Sequence, residues 1–268
     1  MTSKGVGSLK RRDWGEVEDL PGCPSWLRDA MTGYLQVVIE KARPYDVCAP
    51  VLRGLIDELS ADHVLDLASG SGGPWPGLRE ELGEGLTSVG LTLTDIAPSR
   101  LAIERVAGTR GVDYRSSSVS ALDVPEVGAK VWTMFTGLHH FSPEEVKAIV
   151  QQVQDRGVGF AAFEATQRSF RGVLVTLLIP LLVLLMMPLV RPRRPLPLLL
   201  TYLPPLLPLV IWWDGLASTM RTYTPHELEM IVNSVASSEY EWRISELEVP
   251  GAPIPVLSLV GRPRGVVA

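Results

Sequence analysis

The run with the clearest chemistry is Val64-Leu65-Asp66-Leu67-Ala68-Ser69-Gly70-Ser71-Gly72-Gly73-Pro74. It reads as a buried strand entering a glycine-rich turn, followed by a proline suited to the first position of a helix. Glycine in such a turn lets the backbone come close to a ligand, because a Cβ would collide with it. Asp95 closes the next apolar run, in Thr94-Asp95. A carboxylate there can accept hydrogen bonds from both hydroxyls of a ribose. A third group is Phe135-Thr136-Gly137-Leu138-His139-His140-Phe141-Ser142. His139 or His140 can take a proton from a hydroxyl or carboxyl group, since imidazole titrates near neutrality. Either ring can instead cap the following helix or pack beneath the loop. Glu164, ending Ala162-Phe163-Glu164, faces the same place, caps its strand or pairs with Arg168.

In these motifs the sequence resembles the class I S-adenosylmethionine-dependent methyltransferase family. The resemblance covers roughly residues 45–164 and continues more weakly to the C-terminus. In that family an acidic residue on the first strand precedes Gly-x-Gly, and a second acidic residue ends the next strand. The resemblance implies that Gly70 and Gly72 line the methionine part of the cofactor and that Asp95 holds its ribose. Asp66 would orient the glycine loop or reach the methionine amine through water. Ser118 and Val119, in the loop after the third strand, would border the adenine, although the family often has an acidic residue where Ser118 stands. Tyr45 would cover the cofactor or serve as a core tyrosine, and Ala68, Ile96 and Thr136 complete the implied cofactor set. His139-His140-Phe141 is similar to a variant found in small-molecule methyltransferases. An Asn/Asp-Pro-Pro-aromatic run, which marks base and amide methylation in relatives, is missing from this loop. The implied reaction is methyl transfer from S-adenosylmethionine to a small molecule, with oxygen favoured, His139, His140 and Glu164 as catalytic candidates and no metal; the apolar insert that follows the fifth strand points to a hydrophobic or lipid-like acceptor. Arg221 and Tyr223 either bind an anionic acceptor group or, for Arg221, enter a structural ion pair.

Two other classes remain open on the residues. A nicotinamide-dependent oxidoreductase uses a similar glycine turn, but Trp75 stands where the third glycine of GxGxxG would fall. The second is a non-catalytic, membrane-associated binding module on the same fold.

The elements that must position these groups alternate along the chain. Apolar runs at residues 63–68, 86–95, 112–116, 129–136 and 158–164 alternate with helical patterns such as 98–107 and 143–155. That rhythm predicts βαβ units and a Rossmann-like, doubly wound, mostly parallel sheet. Two further strands at 240–247 and 255–260 bring it to seven. Helical patterns at 24–41 and 48–59 form an N-terminal cover, so the expected division is 1–60 for that cover and 61–268 for the catalytic domain. Thr224 with Glu227 three residues on predicts a capped helix start.

A chain of 268 residues with 46% hydrophobic and 21% charged residues can bury one sizeable core. The net charge of −5 without a basic stripe argues against a nucleic-acid partner. Cys23 and Cys48 lack zinc-ligand or redox spacing and read as reduced thiols. Residues 1–20 carry no apolar segment of a secretory signal, so a cytoplasmic location is expected.

An apolar, proline-rich helical insert interrupts the domain at 172–214. Val173–Val190 is uncharged, and so is Pro195–Trp213 beyond Arg191-Pro192-Arg193-Arg194. Each run nears the ~20 residues of a bilayer span. Prolines 195, 197, 204, 205 and 208 argue against an unbroken spanning helix in the second. Two full spans would also place three arginines opposite the catalytic domain, against the positive-inside tendency. The expected form is a hairpin at residues 173–213 lying on the cytoplasmic membrane face, with Trp212 and Trp213 as interfacial anchors. A soluble lid or a homo-oligomer surface would bury the same leucines against protein.

Overall fold

A computed structural model describes residues 9–83 and 89–265. The start of the polar lead and the first residues of the run at 86–95 lie outside that range. Two N-terminal helices, α1 (Ser25–Ala42) and α2 (Ala49–Glu58), precede β1 (His63–Leu67) and α3 (Trp75–Leu82). Then follow β2 (Gly90–Leu93), α4 (Arg100–Val106), β3 (Val112–Tyr114), β4 (Val131–Phe135), α5 (Pro143–Arg156) and β5 (Gly159–Glu164). The insert holds α6 (Phe170–Thr176), α7 (Ile179–Met186), α8 (Pro195–Tyr202) and α9 (Leu206–Arg221). Last come α10 (Pro225–Asn233), β6 (Tyr240–Leu247) and β7 (Val256–Pro263).

The sheet has the order β3-β2-β1-β4-β5-β7-β6, parallel through β5, with β7 antiparallel to both neighbours. Every residue of β4 and β5 is buried, as expected for central strands covered on both faces. Their side chains alternate between two cores. Val131, Phe135, Ala161 and Phe163 meet α2 and α3, whereas Trp132, Met134, Phe160 and Ala162 meet α5 and α10. The chain order reverses between β1 and β4, and open α/β sheets form their ligand crevice at that reversal, beyond the carboxyl ends of the strands.

Caps set several boundaries. α4 starts two residues later than the 98–107 pattern because the Ser99 hydroxyl accepts from the Ala102 amide. Thr224 and Glu227 form the capping box expected of them, and Ser142 with Glu145 forms another on α5. Neither His139 nor His140 therefore caps α5. β7 runs past Val260 to Pro263 because Gly261, Arg262 and Pro263 pair with Trp242, Glu241 and Tyr240.

The insert packs on α1 through a third apolar cluster of Ala30, Met31, Tyr34, Val183, Met187, Leu207 and Ile211. Pro180 does not break the first apolar run, because it occupies the opening of α7, where its missing N–H costs nothing. Phe170–Leu189 forms one 20-residue helical stretch, long and apolar enough to cross a membrane by length and composition. α8 and α9 are bent by 85° at their break, which keeps the second run from being a straight span.

Candidate active site

The glycine turn leaves β1 with positive φ at Ala68 (53°), Gly70 (51°), Gly72 (106°) and Gly73 (57°). Hydrogen bonds from neighbouring elements hold this shape. The Asp66 carboxylate accepts from the Ser69 hydroxyl at 2.6 Å and from the Thr133 hydroxyl at 2.6 Å. Burial pushes the Asp66 carboxyl up to about 7, and these hydroxyls act against that rise. Thr94 donates its hydroxyl to the Asp66 carbonyl at 2.7 Å, and Tyr114 donates to the Gly70 carbonyl at 2.7 Å. From α1, Gln36 donates to the Gly73 carbonyl at 3.1 Å.

Asp95 stands across from the turn. One carboxylate oxygen accepts from the Gly70 amide and the other from the Ala97 amide, both at 2.8 Å. A Cβ built on Gly70 meets nothing within 4 Å, so it would project into open space beside Asp95. Gly137, after β4, is needed for a different reason. A Cβ there would lie 2.8 Å from Met134 Cγ and 3.3 Å from Ala68 Cβ, wedging apart the two loops at the sheet's reversal point.

These loops wall a cavity of about 960 Å³. Of the cofactor residues expected from sequence, Ala68, Gly70, Asp95, Ile96, Val119 and Thr136 line it, and so does His140 at its far end. Asp66 lies beneath the turn and Gly72 shapes it from outside the lining. Tyr45 is buried under Thr136, sharing a hydroxyl hydrogen bond with it, and packs edge-on against Phe135 at 5.2 Å. Ser118 ties its loop to the one after β2 by donating to the Ile96 carbonyl at 2.7 Å.

His139 and Glu164 do not reach the cavity. Glu164 accepts from the Leu138 amide at 2.6 Å and holds His139 Nδ1 at 2.7 Å. It does not pair with Arg168, whose guanidinium goes to Glu227 and to the Thr222 carbonyl. His139 is 1% exposed. Burial opposes a charge on its ring, but Glu164 and Glu16 on either side outweigh that and push its pKa up to about 10.

Sequence reasoning missed the groups that close this end. Glu16, in the polar lead, is 2% exposed and lies 3.5 Å from His139 Nε2. Asp19 holds His140 Nδ1 at 3.1 Å. Arg221 donates to Asp19 at 2.8 Å, to Glu16 at 3.2 Å and to the His140 carbonyl at 2.7 Å, so it takes the structural ion-pair role. Tyr223 donates to the Phe141 carbonyl and is spent on the same loop. Asp214 accepts from the Val17 and Glu18 amides, at 2.8 and 3.2 Å, and fastens the N-terminal segment to α9. A signal existed: Asp214 and Arg221 are the first charges after a long uncharged run, two helical turns apart and therefore on one face.

Neither protein-family models nor curated proteins give a match to this sequence. Solved structures do. The plantazolicin methyltransferase BpumL, in complex with SAH, aligns at TM-score 0.53 and 9% identity over 90% of this chain and 96% of that one. The mitomycin 7-O-methyltransferase MmcR aligns at 0.50 and 11% identity, over 82% of this chain and 54% of its own. Human N-acetylserotonin methyltransferase aligns at 0.48 and 15% identity, over 86% and 55%. The chain thus spans little more than half the length of the last two. With the strand order, the antiparallel β7 and the glycine turn at the reversal point, the chain has the fold of the class I S-adenosylmethionine-dependent methyltransferases.

Proposed function

We propose that the chain is an enzyme that binds S-adenosylmethionine and methylates a small, apolar acceptor, with oxygen the favoured atom. The observation that carries this reading is the single cavity joining the Gly70–Asp95–Val119 wall to the His140–Phe141 end. When bound, the cofactor supplies an activated methyl group on its sulfonium. The chain's own part is to bind and orient. Asp95, fixed by two backbone amides, keeps carboxylate lone pairs free for ribose hydroxyls. Gly70, without a side chain, leaves room beside them. Methyl transfer of this kind gains most from holding two reactants at near-attack distance in a dry pocket. The O-methyltransferase named among the fold's neighbours agrees with oxygen as acceptor atom.

A nicotinamide enzyme is less well supported. Trp75 is buried edge-on against Phe135 where a phosphate-binding turn wants a glycine. Calorimetry on the purified chain should show binding of S-adenosylhomocysteine and none of NADH. Asp95→Ala should weaken the former roughly 100-fold, the loss of about two charge-assisted hydrogen bonds. Folded protein that ignores S-adenosylhomocysteine removes the reading. Release of S-adenosylhomocysteine in the presence of apolar hydroxyl compounds separates an enzyme from a binding module.

The same reading includes peripheral attachment to the cytoplasmic face of a membrane through residues 173–213. Leu177, Leu181, Leu185, Leu199, Leu203 and Leu209 are each more than half exposed, beside exposed Arg191 and Arg193. Such a leucine surface with a basic collar suits an anionic lipid interface. Arg194, which lines the cavity and pairs with Asp29 at 2.9 Å, joins this collar to the cavity's rim on the side of Ser99 and Leu101. The wild-type chain should sediment with anionic vesicles, and Leu177→Glu with Leu185→Glu should release it. Equal sedimentation of both would discard the membrane role.

A further inference from the structure

We propose that Glu16, His139 and His140 form a binding site for one divalent transition-metal ion of the zinc class, at the acceptor end of the cavity. The three offer ligand atoms that all lie within 4.8 Å of one another. Each histidine already has its outer nitrogen committed. His139 Nδ1 sits 2.7 Å from Glu164, and His140 Nδ1 sits 3.1 Å from Asp19. A carboxylate on Nδ1 orients a ring, and an ion bound at Nε2 takes the place of the proton that Glu16 and Glu164 otherwise hold on His139. Both Nε2 atoms then turn toward one carboxylate. His139 Nε2 is 3.5 Å from Glu16 Oε1, and His140 Nε2 is 4.0 Å from Glu16 Oε2.

These gaps are the second observation. A charge-assisted N–H to carboxylate hydrogen bond closes to about 2.7–2.9 Å. His139 Nε2 instead stays buried with no hydrogen-bond partner, on a ring 1% exposed. Donors bound at about 2.0–2.1 Å in a tetrahedron stand roughly 3.4 Å apart, which His139 and Glu16 already match at 3.5 Å, while His140 at 4.0 Å has to close in on the ion. Charge favours a cation as well. Glu16, Asp19 and Glu164 bring three carboxylates, and Arg221 is the guanidinium that pairs with Glu16 and Asp19. Three protein ligands would leave a fourth position open, as in zinc sites that act on a bound oxygen. His140 lines the cavity, so the site lies against its wall. The ion's effect on an acceptor hydroxyl rests on the methyl-transfer reading; its binding does not.

The test uses the full chain, stripped with a chelator and checked for folding by circular dichroism. Titration with Zn²⁺ should show one ion per chain with sub-micromolar affinity, and Co²⁺ should give the visible absorption of a tetrahedral site. His140→Ala and Glu16→Gln should each weaken uptake by at least ~10-fold. His226→Ala, which removes an exposed ring on α10, should leave it unchanged. Because Glu16 also pairs with Arg221 and Ser218, His140→Ala is the safer variant for folding. Folded wild-type protein that binds neither ion, or uptake that both variants retain in full, overturns the site. S-adenosylhomocysteine binding measured on the same stripped sample shows whether the methyltransferase reading stands apart from it.

Discussion

The two ends of the cavity are built by different means. At the nucleoside end, Asp66 to Gly73 form one contiguous turn and Asp95 closes it from the next strand of the sheet. At the acceptor end, Glu16, His140, Glu164 and Arg221 come from the polar lead, the loop after β4, the end of β5 and the last turn of α9. Hydrogen bonds between β-strands and a short turn secure the first. Buried ion pairs across more than two hundred residues secure the second. The contrast implies that the first end should survive damage to the second.

Arg221→Met gives the sharpest test. Removing this guanidinium strips Asp19 of its cation, leaves Glu16 only the histidines and orphans the His140 carbonyl, at a cost of about 3 kcal/mol or more in denaturant unfolding. S-adenosylhomocysteine affinity of the folded fraction should hold, and its loss would break the contrast. Asp66 comes next. Its folded carboxyl keeps a proton up to about pH 7, whereas an unfolded one releases it near pH 4. The folded state therefore binds more protons in that window, and the stability this group contributes is complete below about pH 4 and lost as pH rises toward 7. The span is on the order of 4 kcal/mol at most. Asp66→Asn should flatten the pH 4–7 slope by a comparable amount, and an unchanged slope would place the proton elsewhere. Gly137→Ala probes the junction between the ends. Its methyl would press on Met134 and Ala68, at a cost of about 1–3 kcal/mol in thermal unfolding. Wild-type stability there would mean that the two loops yield independently.

Legibility in the sequence follows the same division. Asp66, Gly70 and Asp95 could be read because their roles depend on place along a strand and on what a missing Cβ permits. For Tyr45 and Glu164 the sequence did not show which atoms each would touch. Tyr45 went under Thr136, and Glu164 turned inward to His139. Glu16 had no readable signal at all. In the run Glu16-Val17-Glu18-Asp19 it resembles any solvated acidic stretch. What buried it was the docking of that stretch on α9.

By itself the sequence determined the strand rhythm, the glycine turn with its paired carboxylate, and the oiliness of residues 173–213. Each of these rests on local periodicity or on the stereochemistry of single residues. Tertiary structure alone decided which of two adjacent histidines meets the cavity, which acid sits behind each ring, and that α9 docks on their loop through Arg221. Those outcomes depend on contacts between segments far apart in the chain. Burial, which sets the energy of every charge among them, is a property of the assembled fold and not of any one stretch.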